Sequence, residues 1–340
     1  MPIAKENVMD KLLTIAIPTF NRAAKLKRLL TVLQDEINTS CLHEQIDILI
    51  SDNASIDDTA SIASEFTDSN FSLEYYRQSE NLGFDGNLRY LYSHARTRFV
   101  WFMADDDLPL KGAIGKILSS LEMHDPDVLL FSFIQPPGST VRQFNYSTQI
   151  WLVNDPVSAI EHVLRCPKLS IYVLRKINFD ESQWNVLDVT LGSGWYFISL
   201  AFSVLETSPK PLLVTISEPL ATCDEDHVGL PWVPFMFLRM DKMVQHPFVL
   251  KHNQSLSKIY KNKGYCQAIQ FSFAAKCGSL IPERMEDYDH FIHALKWRIP
   301  TLIRNPRTLM QLMALKLHIA NLWSRIRPIL RWVRKPLKKS

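Results

Sequence analysis

Three consecutive aspartates, Asp105, Asp106 and Asp107, follow the apolar run FVWFM (99–103) and precede Leu108 and Pro109. Adjacent carboxylates repel one another and resist desolvation. A divalent cation beside them would give the three a common purpose. Hard ions such as Mg²⁺ and Mn²⁺ take oxygen ligands, typically one or two carboxylates plus substrate phosphates. An ion held there against a diphosphate would neutralise charge building on a departing nucleotide. A solvated turn or a helix N-cap also accommodates three aspartates. Two further polar clusters favour the chemical reading, because both follow β-type runs: PTFNR (18–22) after LLTIAI and SDNAS (51–55) after IDILIS.

Each cluster carries a candidate contact. Arg22, at the opening of a helical segment, has the planar fork suited to phosphate. Asp52, directly after a buried strand, can accept hydrogen bonds from a base or from ribose hydroxyls. Asn53, Ser55 and Asp57 fit an Asx-turn or a helix cap equally well. A fourth piece, NLGFDGN (81–87), joins a strand to a helix with two glycines and two asparagines. Backbone amides there, beginning at Asn81, can approach a ligand closely. Neither the GxGxxG nor the P-loop fingerprint occurs.

These residues need a scaffold that gathers them. LLTIAI (12–17), IDILIS (46–51), SLEYYR (72–77) and FVWFM read as strands. Between them, Leu26, Leu29, Leu30 and Leu33 mark one helix, and Leu88, Leu91 and Tyr92 another. Strands alternating with helices imply an α/β fold with a mostly parallel sheet covered on both faces. Such sheets bind ligands beyond the carboxyl ends of their strands, which is where all three clusters fall. DVLLFSFI (127–134) and PLLVTIS (211–217) read as later strands, and 156–165 and 195–206 as helices. The uncharged stretch 189–205 is short for a membrane span and contains two glycines, so it reads as a buried helix. From about residue 230 the patterns are mainly helical.

IAIPTFNRAAKLKRLL, ILISDNASIDDT, NLGFDGNLRYLYSHA and FVWFMADDDLP, in this order, resemble the family 2 nucleotide-sugar glycosyltransferases of GT-A fold. The similarity covers roughly residues 12–120, and the NxGFxxN and WFxxDDD forms look most like the abequosyltransferase-like branch. The resemblance implies a Rossmann-like GT-A sheet flanked by helices, to which the patterns beyond residue 230 add a mainly helical C-terminal extension. Its divisions are 11–125 (nucleotide-sugar half), 126–229 (acceptor half) and 230–340 (helical region with a basic amphipathic tail). It implies that Pro18, Phe20 and Arg22 flank the nucleotide and that Asp52 holds base or ribose. Asp105 and Asp106 stand at the DXD-type site, with Asp106 as ligand to Mg²⁺ or Mn²⁺ and Asp107 a second candidate. The commoner form is DxDD, and here its first position is Ala104.

A larger departure concerns the general base. Inverting members activate the acceptor hydroxyl with a carboxylate that often opens a helix in the second half. The corresponding stretch, LGSGWYFISLAF (191–202), has no acid at that point. Asp188 and the cluster Asp224, Glu225 and Asp226 are nearby; Asp188, which precedes the helix, is favoured. Trp195 either stacks on a sugar face or belongs to the core.

The implied activity is sugar transfer from a nucleotide-diphosphate donor, with a deoxyhexose among the candidates. The acceptor is a hydroxyl of a glycan or a lipid-linked acceptor in surface polysaccharide synthesis. The missing acid keeps open a nucleotide-sugar-binding protein without turnover. A nucleotidyltransferase is the third reading, though PTFNRAAKLK lacks the glycine-rich loop that activity uses.

Composition adds a setting. Net charge is only +3 over 340 residues, but no acid follows Asp289, while twelve lysines and arginines do. In 308–340 those cations alternate with Leu, Ile, Met and Trp, as in helices lying on an anionic membrane; a helix packed on its own domain is the alternative. No zinc spacing or RNA-binding aromatic signature accompanies the charge, so nucleic acid is not expected. Five scattered cysteines and an N-terminus without an apolar signal core predict a cytoplasmic protein, and the basic tail places it peripherally on the membrane's inner face.

Overall fold

A computed structural model describes residues 11–67, 71–140, 142–143, 150–165, 167–223 and 242–254. The chain divides into two compact units, residues 1–226 with 246–252, and residues 227–245 with 253–340. The described part of the second unit is confined to 242–245 and 253–254, so the basic tail and Asp224, Glu225 and Asp226 lie outside the described residues.

Among the described residues, the first unit is built on a ten-stranded sheet. Strands β1 (Leu13–Thr19), β2 (Ile46–Asp52), β3 (Ser72–Arg77) and β4 (Phe99–Phe102) alternate with helices α1 (Ala23–Ser40), α2 (Thr59–Ser64) and α3 (Gly83–His94). Then come β5 (Leu108–Pro109), α4 (Ala113–His124), β6 (Val128–Ile134), β7 (Arg142–Gln143), β8 (Ile150–Val153) and α5 (Pro156–Arg165). A 3-10 turn, Leu169–Ile171, leads to β9 (Tyr172–Arg175), α6 (Glu181–Asp188), α7 (Tyr196–Thr207), β10 (Leu213–Thr222) and α8 (Pro247–His252). The spatial order is β3-β2-β1-β4-β9-β6-β10-β5, with β7 on β6 and β8 on β10. Strands β1, β2, β3, β4, β6 and β10 run one way, and β9 is an antiparallel strand inserted between β4 and β6.

The inner parallel strands β1 and β4 are apolar on both faces, as strands covered on both sides must be. All seven residues of β1 are buried, and β4 is buried throughout. Helix α1 covers one face through Leu26, Leu29, Leu30, Leu33 and Ile37, all at 0% exposure. Full burial of each such side chain contributes roughly 1.5–3 kcal/mol. The helix ends where Cys41 turns left-handed at φ 55° and its amide is satisfied by the Asn38 carbonyl. Glu36 is buried on the same helix and accepts a 2.8 Å bond from the Ile114 amide, capping α4; burial raises its pKa.

Helix α7, from the uncharged stretch 189–205, is buried from Tyr196 to Leu205 and packs under the sheet. Among the described residues no helix is long and apolar enough to cross a membrane.

Register brings the strand ends level. Thr19 pairs with Asp52, and Asp52 with Arg77. The Met103 amide donates to the Ala16 carbonyl, so β4 delivers its aspartates at the same edge. Pro18 lies beyond the last β1–β4 pair, Ala16–Phe102, opposite Ser51.

Candidate active site

The turn after β4 folds sharply, with the Asp107 amide donating to the Ala104 carbonyl at 3.1 Å. This splits the three aspartates into two environments. Asp105 and Asp106 face the end of β1. Arg22 Nη1 donates to Asp105 Oδ1 and to Asp106 Oδ2, both at 2.9 Å. Asp105 Oδ2 accepts the Thr19 hydroxyl at 2.8 Å, and Lys25 Nζ stands 3.9 Å from Asp106 Oδ2. Arg28 Nη2 donates to the Asp106 carbonyl at 3.0 Å. Burial pushes the Asp105 carboxyl above the ordinary aspartate range, against the pull of Arg22 and the Thr19 hydroxyl. Burial also works against the charge of Arg22, but the two aspartates outweigh it and raise its pKa.

Asp107 turns the other way and is 0% exposed. Its Oδ2 accepts the Ser170 hydroxyl at 2.5 Å, and Lys168 Nζ lies 3.4 Å from Oδ1. Ser170 also receives the Ala104 amide on its oxygen, at 3.1 Å. Burial disfavours the Lys168 ammonium, but Asp107 holds its pKa above the usual lysine value. Side chains supply positive charge beside all three aspartates: Arg22 between two of them, Lys168 beside the third. Lys168 and Ser170 carry no motif. They arrive because β9 pairs with β4 at Val173–Trp101, with Trp101 Nε1 donating to the Ser170 carbonyl.

Asp52 is also fully buried. Its Oδ1 accepts the Ser55 amide at 2.9 Å and its Oδ2 the Tyr75 hydroxyl at 2.6 Å. Arg77 Nε stands 3.9 Å from Oδ2. Burial first, then the bond to Asp52, raises the Tyr75 pKa. Ala54 follows with φ 65°, a left-handed conformation that favours glycine. Asn21, at φ 53°, ties this loop to the end of β1: its Oδ1 accepts the Ile56 amide, and its own amide donates to Ser55 Oγ, both at 2.8 Å. Asn53 reaches the fourth piece, donating to Asn81 Oδ1 at 2.7 Å and accepting the Leu82 amide at 2.8 Å. Phe20 and Asn81 are exposed at this edge. The two glycines of NLGFDGN have separate reasons: Gly83 has φ 72°, and a Cβ on Gly86 would lie 2.9 Å from Leu82 Cβ.

The acceptor-side candidates form a second cluster. Asp188, at the end of α6, accepts Arg89 Nε at 2.9 Å and the Tyr196 hydroxyl at 3.0 Å, both on Oδ1. Its side chain is 29% exposed. Arg89 is steadied by the Trp184 ring 4.6 Å away. Trp195 is only 4% exposed and opens α7 from within the fold, so it presents almost no face to solvent. The missing acid at that helix start is matched by Asp85, from α3. Asp85 accepts the Gly194 amide at 2.7 Å, the Tyr196 amide at 3.3 Å and the Ser193 hydroxyl at 3.3 Å. The strand-to-helix junction NLGFDGN was legible in sequence, but the contact of its Asp85 with Gly194, 109 residues away, was not.

Asp105 and Asp106 fit a hard divalent ion, since two carboxylates converge on the position one nitrogen now takes. Among the described residues no group of three or more His, Cys, Asp and Glu could hold such an ion. Two carboxylates plus substrate phosphates match the habit of Mg²⁺.

Comparison with known proteins gives this arrangement a family. The chain is 26% identical over 231 residues to the abequosyltransferase RfbV of Salmonella typhimurium, covering 64% of this chain and 67% of that one. Its fold is that of S. aureus TarS residues 1–349, solved with UDP-GlcNAc: TM-score 0.64, 13% identity, 94% of this chain and 92% of that chain. A mannosyltransferase from Pyrobaculum calidifontis, solved with GDP-Man and Mn²⁺, superposes at TM-score 0.50 with 15% identity, over 93% and 88% of the two chains. These neighbours share the GT-A fold. Residues 14–188, just over half of the chain, match the profile of Glycosyl transferase family 2 and contain all four strand-end segments. The chain therefore belongs to glycosyl transferase family 2 and is a glycosyltransferase.

Proposed function

We propose that the carboxyl edge of β1, β2 and β4 binds a nucleotide-diphosphate sugar, and that the sugar passes with inversion to a hydroxyl of a glycan or lipid-linked acceptor. The supporting observation is the convergence of Asp105 and Asp106 on one point, level with Asp52 two strands away. Asp52, with Pro18 and Phe20 beside it, serves the nucleoside. Contact with the buried Asp52 carboxylate requires a donor group that takes the place of the Tyr75 hydroxyl. Asn81 lines the same edge. Asp106 and Asp105 hold Mg²⁺ or Mn²⁺, and Asp107 holds the turn through Ser170 and Lys168. A bound ion supplies charge neutralisation for the departing diphosphate. Arg22 binds phosphate oxygens with its planar fork.

Asp188 takes the proton from the attacking hydroxyl. Arg89 and Tyr196 fix its Oδ1, which orients Oδ2 as the accepting atom. Trp195 meets a sugar only if the 190–195 loop opens. The acceptor makes the membrane relevant: the basic tail, 308–340, holds the enzyme on the inner, cytoplasmic surface of an anionic membrane.

A thermal-shift screen of nucleotide sugars with Mn²⁺ or Mg²⁺ tests the donor reading. The expected result is a shift with one donor that EDTA abolishes. No shift across the panel, with or without metal, would overturn it.

A further inference from the structure

The contrast between the three aspartates carries one step more. Asp107 has its own lysine, the mostly covered Lys168. Asp105 and Asp106 instead share one nitrogen of Arg22, 2.9 Å from each carboxylate. Their side chains are 4% exposed, whereas Arg22 is 42% exposed. The residue stands at the start of α1, and its own side chain makes no helix-capping bond. Its guanidinium can therefore leave without breaking the core, while the carboxylates stay.

We propose that Arg22 is a resident counter-cation that competes with the divalent ion for Asp105 and Asp106, so that the donor-free enzyme binds that ion weakly. This rests on the metal-site reading above. Two carboxylates held this close and this dry must be neutralised at all times. Arg22 does so when no ion is present. It yields both carboxylates when the ion comes with a diphosphate, and its fork then has phosphate oxygens to bind in exchange. Without phosphate, Arg22 loses two charge-assisted bonds and gains none, so metal alone is opposed. The result is coupling: ion and diphosphate enter together.

Titration with Mn²⁺ alone, read as loss of the free-ion electron paramagnetic resonance signal, tests this on the full chain. Arg22→Gln and Arg22→Ala should each bind Mn²⁺ about tenfold or more tighter than wild type, the scale of a lost competing charged hydrogen bond. Thermal unfolding checks that both variants fold. Unchanged or weaker Mn²⁺ binding in both would overturn the proposal. Asp106→Asn separates the two readings. If it weakens Mn²⁺ binding while the Arg22 variants do not tighten it, only the competition fails. If the double variant Arg22→Gln/Asp106→Asn binds as tightly as Arg22→Gln, the ion is elsewhere, and the metal-site reading fails with it.

Discussion

The Asp85 carboxylate accepts a 2.7 Å hydrogen bond from the Gly194 amide, 109 residues away in sequence. One acid from the NLGFDGN turn thereby fixes the N-terminal end of α7 and the loop leading into it. Two segments far apart in sequence are joined at this point, rather than by the sheet alone.

That clamp should be costly to remove. Asp85→Ala strands the Gly194 and Tyr196 amides and the Ser193 hydroxyl. Each buried group left unsatisfied costs about 1–3 kcal/mol. Urea denaturation should show a loss of that order or more, with Asp85→Asn, which keeps an acceptor oxygen, losing less.

Asp106 and Asp107 should differ sharply in what their loss costs, though they are neighbours. Asp107→Ala leaves Lys168 buried without its carboxylate, and breaking such a pair costs about 3–5 kcal/mol. Asp106→Asn weakens a contact with the half-exposed Arg22, for which about 1 kcal/mol or less is expected. Chemical denaturation of both variants checks the order, and equal losses would contradict the two environments.

Stability at mildly acidic pH should report on His246. Its Nδ1 accepts the Phe248 amide and its Nε2 contacts Ser203 Oγ at 3.1 Å, and burial pushes its pKa down to about 4. The folded value lies below the unfolded one, about 6.5. The unfolded chain therefore binds a proton that the native state refuses between those values. This contribution is complete above about pH 6.5 and is lost as pH falls, by roughly 3 kcal/mol in all near pH 4. Denaturation midpoints across that range should show the slope, and His246→Gln should flatten it.

The parallel strands and their polar ends were legible because fully buried strands are continuous apolar runs, and the clusters behind them are abrupt. SLEYYR and 156–165 coincide with β3 and α5. The inserted strand β9 was not legible: four residues, Tyr172–Arg175, carry no period of their own and exist through pairing on both sides. Lys168 and Ser170 were missed with it. The Tyr75 partner of Asp52 and the partners of Asp85 and Asp107 were also invisible, since each is a contact between separate segments.

The basic tail, which lies outside the described residues, makes its own prediction. Full-length protein should float with vesicles containing anionic lipid, and a chain lacking 308–340 should not. Equal flotation of both would end the membrane role.

The central claim is that the edge carrying Asp105 and Asp106 is where the donor reacts. Release of nucleoside diphosphate from the donor found in the thermal-shift screen, in the presence of acceptor and Mn²⁺, tests it most directly. Wild type should release it in a metal-dependent way, and folded Asp106→Asn should fall by about a hundredfold or more, the scale of losing one preorganised electrostatic group. Release by Asp106→Asn at the wild-type rate, indifferent to EDTA, would contradict the account.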